Sequence, residues 1–240
     1  MTRGESISFI RELLPQINTL FPVVGIAPPF TSIEVAAQAA RGSHLLIGAQ
    51  NMSGFPSGAH TGEISSFMLK DVGAQFVLIG HSERRVECHE TDSMIRQKIG
   101  EALAAGITSI LCVGERKRAR GGEVQEGVVI DQIGQALINL SRADLKRSNL
   151  MIAYEPVWAI GTGDSATPEF VQEMHCRCRS FLSRRFGEDV ASHIPLLYGG
   201  SVNPENISQL VSQPDVDGAL VGGGSLKVDA FVQIIKNAKK

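Results

Sequence analysis

The feature that most constrains the fold of this chain is an alternation of short apolar segments with longer amphipathic ones, repeated along its whole length. Apolar, β-rich runs predict seven strands over residues 23–27, 45–49, 76–80, 109–113, 151–154, 195–198 and 218–221. Short apolar strands that alternate with helices are typical of a parallel sheet covered on both faces. The sequence therefore predicts an α/β fold.

Helical periodicity fills the intervals between these runs. Helices are predicted over residues 6–20, 33–41, 64–72, 91–105, 129–140, 168–186, 204–211 and 229–238. The length of 240 residues suits a (β/α)8 barrel, which forms one domain of about 250 residues. No low-complexity linker divides the chain, so residues 1–240 are expected to form a single domain.

The first predicted element is a helix, although a (β/α)8 barrel begins with a strand. Residues 6–20 carry apolar side chains at helical spacing, and nothing before Glu5 can serve as a strand. We therefore expect either an open sheet or a first strand that is missing from the start of this sequence.

Charge and cysteine content exclude several classes of protein. The net charge of −2 gives no reason to expect a nucleic-acid partner, and no apolar run is long enough to cross a membrane. The N-terminus lacks the apolar core of a signal peptide. Four scattered cysteines do not suggest a disulfide framework, so the cytoplasm is the expected compartment.

Two glycine-rich turns follow the last two predicted strands. Gly199 and Gly200 precede Ser201, and residues 222–224 are three glycines before Ser225. Glycine lets backbone N–H groups approach an anion at the start of a helix. Either turn alone could be a tight connection without a ligand, but the pair predicts a phosphate site at the carboxyl end of a barrel.

Glu155 follows the predicted strand 151–154 and is the candidate general base. A carboxylate at such a strand end is placed for proton transfer, although a structural ion pair is an equal alternative from this position alone. The apolar, glycine-containing segment 156–163 comes next. It predicts either a lid that excludes water or a loop packed permanently on the barrel.

His81 is the second candidate catalytic residue. It precedes Ser82, a good N-cap residue, and Glu83 in a first helical turn, and a helix N-terminus disfavours imidazolium. A neutral ring there could donate a hydrogen bond to a carbonyl oxygen, or it could be a buried structural histidine. The other five histidines are interpreted as structural or solvent-exposed. Cys176 and Cys178 lie two apart on a predicted helix and face different directions, so no metal is expected.

Four segments together carry a resemblance to a known family. Residues 80–84 (GHSER), 153–163 (AYEPVWAIGTG), 198–202 (YGGSV) and 217–223 (DGALVGG) resemble the signature stretches of triosephosphate isomerases, in the same order. The resemblance implies a TIM (β/α)8 barrel without cofactor or metal. It also implies interconversion of dihydroxyacetone phosphate and D-glyceraldehyde 3-phosphate through an enediolate, a step of glycolysis and gluconeogenesis.

The resemblance assigns a role to each candidate residue. Glu155 would move a proton between two carbons, and His81 would polarise the carbonyl, the mechanism that the family is known for. The residues that would bind phosphate through backbone N–H groups are Gly161, Ser201, Gly222 and Gly223. Those expected to support the site are Glu83, Asn51, Thr61 and Cys112. The family is typically a homodimer, in which Thr61, at the end of loop 50–63, would reach the partner's active site.

The start of the sequence departs from the family pattern. Members begin with a strand ending in Asn-x-Lys, and Met1 aligns just after that lysine. Glu83 would normally pair with the lysine, so it is expected here as a buried carboxylate without its partner. An N-terminally incomplete sequence is the favoured explanation. The competing explanation is a real short barrel with impaired catalysis and the same phosphate site. The alternative functions are those of a different sugar-phosphate isomerase or of a non-catalytic binding protein.

Overall fold

A computed structural model describes residues 1–17, 22–115, 126–159 and 166–239 of the chain. All seven predicted strands are present, with ends that differ from the prediction by up to two residues. They are β1 (Gly25–Ile26), β2 (Leu46–Ala49), β3 (Phe76–Ile79), β4 (Thr108–Val113), β5 (Leu150–Tyr154), β6 (Leu196–Tyr198) and β7 (Gly218–Ala219).

The strands form one curled parallel sheet of the barrel type, in the order β1 to β7. Each strand pairs with the next along the chain, as in the register of Cys112 with Ala153 between β4 and β5. Within the described residues, β1 and β7 do not pair with each other. Because every strand runs the same way, all seven carboxyl ends meet at one edge, and residues that follow the strands are brought together there.

Helices alternate with the strands and cover the outside of the sheet. They are α1 (Arg3–Ile17), α2 (Ile33–Ala39), α3 (Ser66–Asp71), α4 (Ser82–Glu87), α5 (Asp92–Ala104), α6 (Glu126–Ala136), α7 (Arg142–Arg147), α8 (Pro168–Phe186), α9 (Glu188–Ala191), α10 (Ile207–Val211) and α11 (Val228–Asn237). All eight predicted helices are present, and the predicted end of the first one, residues 18–20, lies outside the described residues. The first turn predicted at Glu83 belongs to α4, whereas α7 and α9 were missed, because they are too short to show a clear apolar period.

The longest helix shows how the sequence sets the bounds of an element. The side chain of Thr167 caps α8 by accepting a hydrogen bond from the Phe170 N–H, and Pro168 occupies the first helical turn, where its missing N–H costs nothing. Gly187 ends the helix with φ of +92°, a left-handed value that glycine adopts without strain.

Two groups of buried apolar residues hold the sheet and helices together. The larger lies between the sheet and its helices and includes Ile10, Leu69, Leu111 and Leu182. The smaller lies on the inner face of the sheet; its buried members are Phe76, Leu78, Ile110, Cys112 and Ala153. The strands are thus buried on both faces, as the continuous apolar runs predict.

Candidate active site

Glu155 is a buried carboxylate at the carboxyl end of β5. Its side chain is only 2% exposed, and its backbone N–H donates to the Val113 carbonyl oxygen at 2.8 Å, which extends the pairing of β5 with β4. The oxygen Oε1 lies 2.9 Å from His81 Nε2, and Oε2 accepts a hydrogen bond of 2.9 Å from the Ser82 N–H. Both carboxylate oxygens therefore have donors, as burial requires.

His81 stands at the N-terminus of α4, but not in the position predicted for it. The sequence interpretation made Ser82 the N-cap; in the structure His81 is the N-cap and Ser82 is the first helical residue. His81 Nδ1 accepts a hydrogen bond of 3.3 Å from the Glu83 N–H. An imidazole ring can fill the capping role of a hydroxyl because its unprotonated nitrogen is also an acceptor.

This capping bond determines which tautomer fits the site. A ring that accepts at Nδ1 carries its proton on Nε2, which faces Glu155. Burial lowers the pKa of His81, but the hydrogen bond and charge of Glu155 and the charge of Glu83 outweigh it, so the pKa is raised. An imidazolium would place a second proton on Nδ1, against the Glu83 N–H. The hydrogen bond at Nδ1 therefore favours the neutral ring, whereas the carboxylate of Glu155 favours the protonated one.

A cavity of about 620 Å³ opens beside this pair. Glu155, Ser82 and Val157 line it together with Arg85 and Gln132. Arg85 turns its guanidinium away from Glu155 and binds the Asp92 carboxylate at 2.7 Å and the Gly80 carbonyl at 2.8 Å. The cavity therefore gives a small molecule access to the carboxylate of Glu155.

Cys112 lies on β4 next to the base. It is fully buried, and its thiol pKa is raised well above the usual value, first by burial and second by the charge of Glu155. A thiol in this state is not a nucleophile. Its burial fits the structural role that the resemblance implies.

The segment after Glu155 is described only in its first part. The Trp158 indole N–H donates to Glu115 Oε1 at 2.7 Å, and its ring packs edge-on against Phe170, with 5.7 Å between centroids. Burial raises the pKa of Glu115, although its hydrogen bonds, including those from Tyr154 and Trp158, oppose the shift. The proposed lid, with its glycine Gly161, lies otherwise outside the described residues.

The glycine-rich turns follow β6, which pairs with β5, and β7, which pairs with β6. The Gly199 N–H donates to the Tyr154 carbonyl at 2.7 Å, so the turn after β6 lies directly beside the base. A Cβ atom on Gly199 would lie 2.8 Å from Glu155 Cγ, a distance that excludes a side chain there. Ser201 is half-buried, whereas Gly222 and Gly223 are exposed at the start of a short 3₁₀ helix. Exposed N–H groups in this position can bind an anion.

One of the supporting residues lies elsewhere than expected. Glu83 was expected to be buried, and this is wrong: its side chain is 76% exposed, because it lies on the outer side of the first turn of α4. Water solvates its charge, so no buried partner is required. Thr61 is exposed in the loop between β2 and α3 and contacts none of the site residues described above.

Asn51 belongs to a buried polar cluster that the sequence analysis missed. Its Oδ1 accepts a hydrogen bond of 2.8 Å from the ammonium of Lys98, which also binds Glu90 Oε1. Arg84 binds the same oxygen of Glu90 at 2.6 Å. Burial raises the pKa of Glu90, but the hydrogen bonds and charges of Lys98 and Arg84 outweigh it, and the pKa is lowered. The one sequence signal for this cluster is Lys98, a lysine at a position where the helical period of residues 91–105 predicts an apolar residue.

Two features are absent from residues 1–17, 22–115, 126–159 and 166–239. No group of three or more histidine, cysteine, aspartate or glutamate side chains has the arrangement of a metal site in these ranges. Nor does any helix described here combine the length and apolar character that a membrane span requires.

The fold and the site together define an α/β-barrel protein that places an acid–base pair at the carboxyl ends of its strands. The sequence model described as triosephosphate isomerase matches residues 1–238. The chain therefore belongs to the triosephosphate isomerase family, as the signature stretches predicted.

Individual relatives agree over nearly the full chain. The triosephosphate isomerase of Protochlamydia amoebophila is 47% identical over 98% of this chain and 89% of its own length. That of Carboxydothermus hydrogenoformans is 44% identical over 99% of this chain and 94% of its own. That of a Roseiflexus species is 45% identical, with coverages of 98% and 92%.

Proposed function

We propose that this chain interconverts dihydroxyacetone phosphate and D-glyceraldehyde 3-phosphate by proton transfer through an enediolate, a reaction of glycolysis and gluconeogenesis. The observation that carries the proposal is the pair formed by Glu155 Oε1 and His81 Nε2, 2.9 Å apart beside an open cavity. Membership of the family supports the same activity.

Glu155 is the base in this proposal. A substrate carbon that enters between the two side chains would take the place of His81 as the neighbour of Oε1. The carboxylate would then remove a proton from one carbon and return it to the next, while the Ser82 N–H holds Oε2. Burial of the carboxylate among protein donors excludes water that would otherwise solvate it.

His81 would act on the substrate oxygens. Its Nε2–H, which now faces Glu155, would donate to the carbonyl and stabilise the negative charge that develops there as the carbon loses its proton. The cap at Nδ1 keeps the ring in one orientation, because rotation would break the hydrogen bond from Glu83 N–H. The helix N-terminus disfavours protonation of the ring and the carboxylate of Glu155 favours it. Because the two effects oppose each other, the ring would be able to exchange protons with the substrate.

The phosphate would bind at the turns after β6 and β7, through backbone N–H groups of Ser201, Gly222 and Gly223. The close approach of Gly199 to Glu155 supports this proposal for the turn after β6. Gly161 and a closing segment 156–163 complete this site in the family pattern. Asn51 and Cys112 would support the active site as buried residues, Asn51 through its hydrogen bond from Lys98 and Cys112 on the strand next to that of Glu155.

The chain would act as a homodimer in the cytoplasm. Phe67 and Met68, on consecutive positions of α3, are 61% and 55% exposed, an apolar surface that a second subunit would cover. Thr61, in the exposed loop before α3, would reach the partner's site. The four cysteines are free thiols, which fits a reducing compartment.

The test is turnover of glyceraldehyde 3-phosphate, with glyceraldehyde as the matched substrate without phosphate. We expect measurable isomerisation of the phosphorylated substrate, and a kcat/KM lower by several orders of magnitude for glyceraldehyde, because remote binding energy drives catalysis. Equal values for the two substrates would refute the phosphate site. Failure to isomerise either would refute the proposed function.

A further inference from the structure

Gly114, the first residue after β4, touches the main chain of Glu155. A Cβ atom built on Gly114 would lie 1.8 Å from the Glu155 carbonyl oxygen and 3.2 Å from Glu155 Cβ. The preceding residue, Val113, accepts the Glu155 N–H at 2.8 Å. Because no side chain separates the two segments, a movement of the Gly114 peptide displaces the backbone that carries the base.

Gln132 holds this peptide from the other side. Its Oε1 accepts a hydrogen bond of 2.8 Å from the Gly114 N–H, and its Nε2 donates to the Gly114 carbonyl oxygen at 3.2 Å. One side-chain amide thus binds both polar groups of a residue that lies just beyond the strand ladder. Gln132 lies on α6 and is half-buried, and it lines the same cavity as Glu155.

We propose that Gln132 is a positioning residue for the reaction: its amide fixes the Gly114 peptide, and the Gly114 peptide fixes the main chain of Glu155 in the position from which its carboxylate reaches the substrate carbon. The proposal rests on the proposed role of Glu155 as base. Gln132 acts through Gly114 and touches neither the base nor the glycine turns after β6 and β7. Its loss should therefore slow the chemical step and leave phosphate binding intact.

Two variants of Gln132 and one control separate this role from a general effect on folding. Gln132→Leu keeps the approximate volume and removes both hydrogen bonds. Gln132→Glu keeps an acceptor for the Gly114 N–H, but its carboxylate cannot donate to the carbonyl; the protonated acid regains one donor and one acceptor. Gln135→Leu, on the exposed face of the same helix, reports the effect of an apolar substitution on α6 alone.

The experiment measures kcat and KM for glyceraldehyde 3-phosphate between pH 5 and pH 8. For Gln132→Leu we expect kcat to fall on the order of 10- to 100-fold, the effect of a base displaced by about 1 Å, with KM within twofold of wild type. For Gln132→Glu the ratio of its kcat to that of wild type should rise as pH falls. For Gln132→Leu the same ratio should stay flat, and Gln135→Leu should match wild type.

Three results would overturn the proposal: wild-type kcat in Gln132→Leu, a rise in KM at unchanged kcat, or a pH-independent ratio for Gln132→Glu. If Gln132→Leu does not fold, the pH dependence of Gln132→Glu decides. Glu155→Asp, measured alongside, separates this proposal from the proposed role of Glu155 as base, on which it rests. Unchanged turnover in Glu155→Asp would refute Glu155 as base, whereas a large loss there with no effect at Gln132 would refute only the positioning role.

Discussion

Two buried glutamates in this molecule have similar exposure and opposite surroundings. Glu90 is bound by Lys98 and Arg84, two cations that lower its pKa and keep it ionised. Glu155 is bound by the imidazole of His81 and the backbone N–H of Ser82. Protonation of a carboxylate held by two cations costs free energy, because it removes the negative charge that the cations bind. A carboxylate held by a neutral ring and a peptide can exchange a proton with a substrate, and this difference supports the proposal that Glu155 rather than Glu90 is the base.

The largest effect that this comparison predicts is on turnover. Glu155→Gln keeps the shape of the side chain and an acceptor for the Ser82 N–H, but it cannot take a proton. We expect kcat to fall by about 10³- to 10⁴-fold, the usual contribution of a general base. The free energy of unfolding should fall by about 1–3 kcal/mol, because the amide nitrogen cannot accept from the His81 Nε2–H and one buried donor loses its acceptor. Assays of turnover and urea unfolding on the same preparation check both values.

Glu90→Gln should show the reverse pattern. It leaves the Lys98 ammonium buried with only neutral oxygens, and breaking a buried pair in this way costs about 3–5 kcal/mol of unfolding free energy. Turnover of the folded protein should stay near that of wild type. Urea unfolding measures the loss, and the double variant Glu90→Gln with Lys98→Met is the control: it removes the orphaned charge, so it should recover part of the stability. Equal effects of Glu90→Gln and Glu155→Gln on turnover would break the comparison.

A third buried group, His175, extends the comparison to the pH dependence of stability. Burial lowers the pKa of His175 to about 4, although its hydrogen bond to the Asp215 carbonyl and nearby carboxylates raise it. The unfolded chain, whose histidine titrates near pH 6.5, therefore binds more protons below that pH. Stability from this group is present above pH 6.5 and is lost as pH falls towards 4, by up to about 3 kcal/mol. Glu90, whose pKa is lowered, loses its contribution only at still lower pH.

His175→Gln tests whether titration of His175 causes the loss of stability between pH 6.5 and pH 4. Its unfolding free energy should fall less steeply than that of wild type between pH 6.5 and pH 4, and the two curves should run parallel from pH 7 to 8. Chemical denaturation at four or five pH values measures the slopes. A variant with the wild-type slope would show that His175 does not titrate in this range.

The smallest predicted effect is at the contact between the base and the β6 turn. Gly199→Ala would place a methyl group 2.8 Å from Glu155 Cγ and 3.2 Å from the Tyr154 carbonyl oxygen. We expect the carboxylate to shift and kcat to fall by about tenfold, since small displacements of a reacting group slow the chemical step. Steady-state kinetics measures the change; Gly100→Ala, where a Cβ atom meets nothing within 4 Å, is the matched control.

The strands and long helices could be predicted because apolar runs and helical periods are written directly in the sequence. All seven strands are confirmed, and the prediction for α8 matches the helix from Pro168 to Phe186. The short helices could not be predicted in this way: α7 and α9 were missed, and α4 was predicted only as a first turn, with a serine cap where the structure has a histidine. Local sequence does not reveal that an imidazole will outcompete the next hydroxyl for the capping position.

The candidate site was predictable in part. Glu155 and His81 follow predicted strands, and the structure brings them to 2.9 Å, as shared strand ends require. The exposure of Glu83 and the roles of Glu90, Lys98 and Gln132 were missed. Each of these depends on which face of a helix meets the sheet and at what rotation, and this is fixed by packing over the whole barrel rather than by neighbours in the sequence.

The most direct test of Glu155 as the base is the exchange of substrate hydrogen with solvent. Dihydroxyacetone phosphate incubated with the protein in D₂O should acquire deuterium at the carbon that loses its proton, and Glu155→Gln should slow this exchange in proportion to its loss of turnover. Glu90→Gln, assayed as folded protein, should exchange at the wild-type rate. Exchange by Glu155→Gln at the wild-type rate would contradict the account.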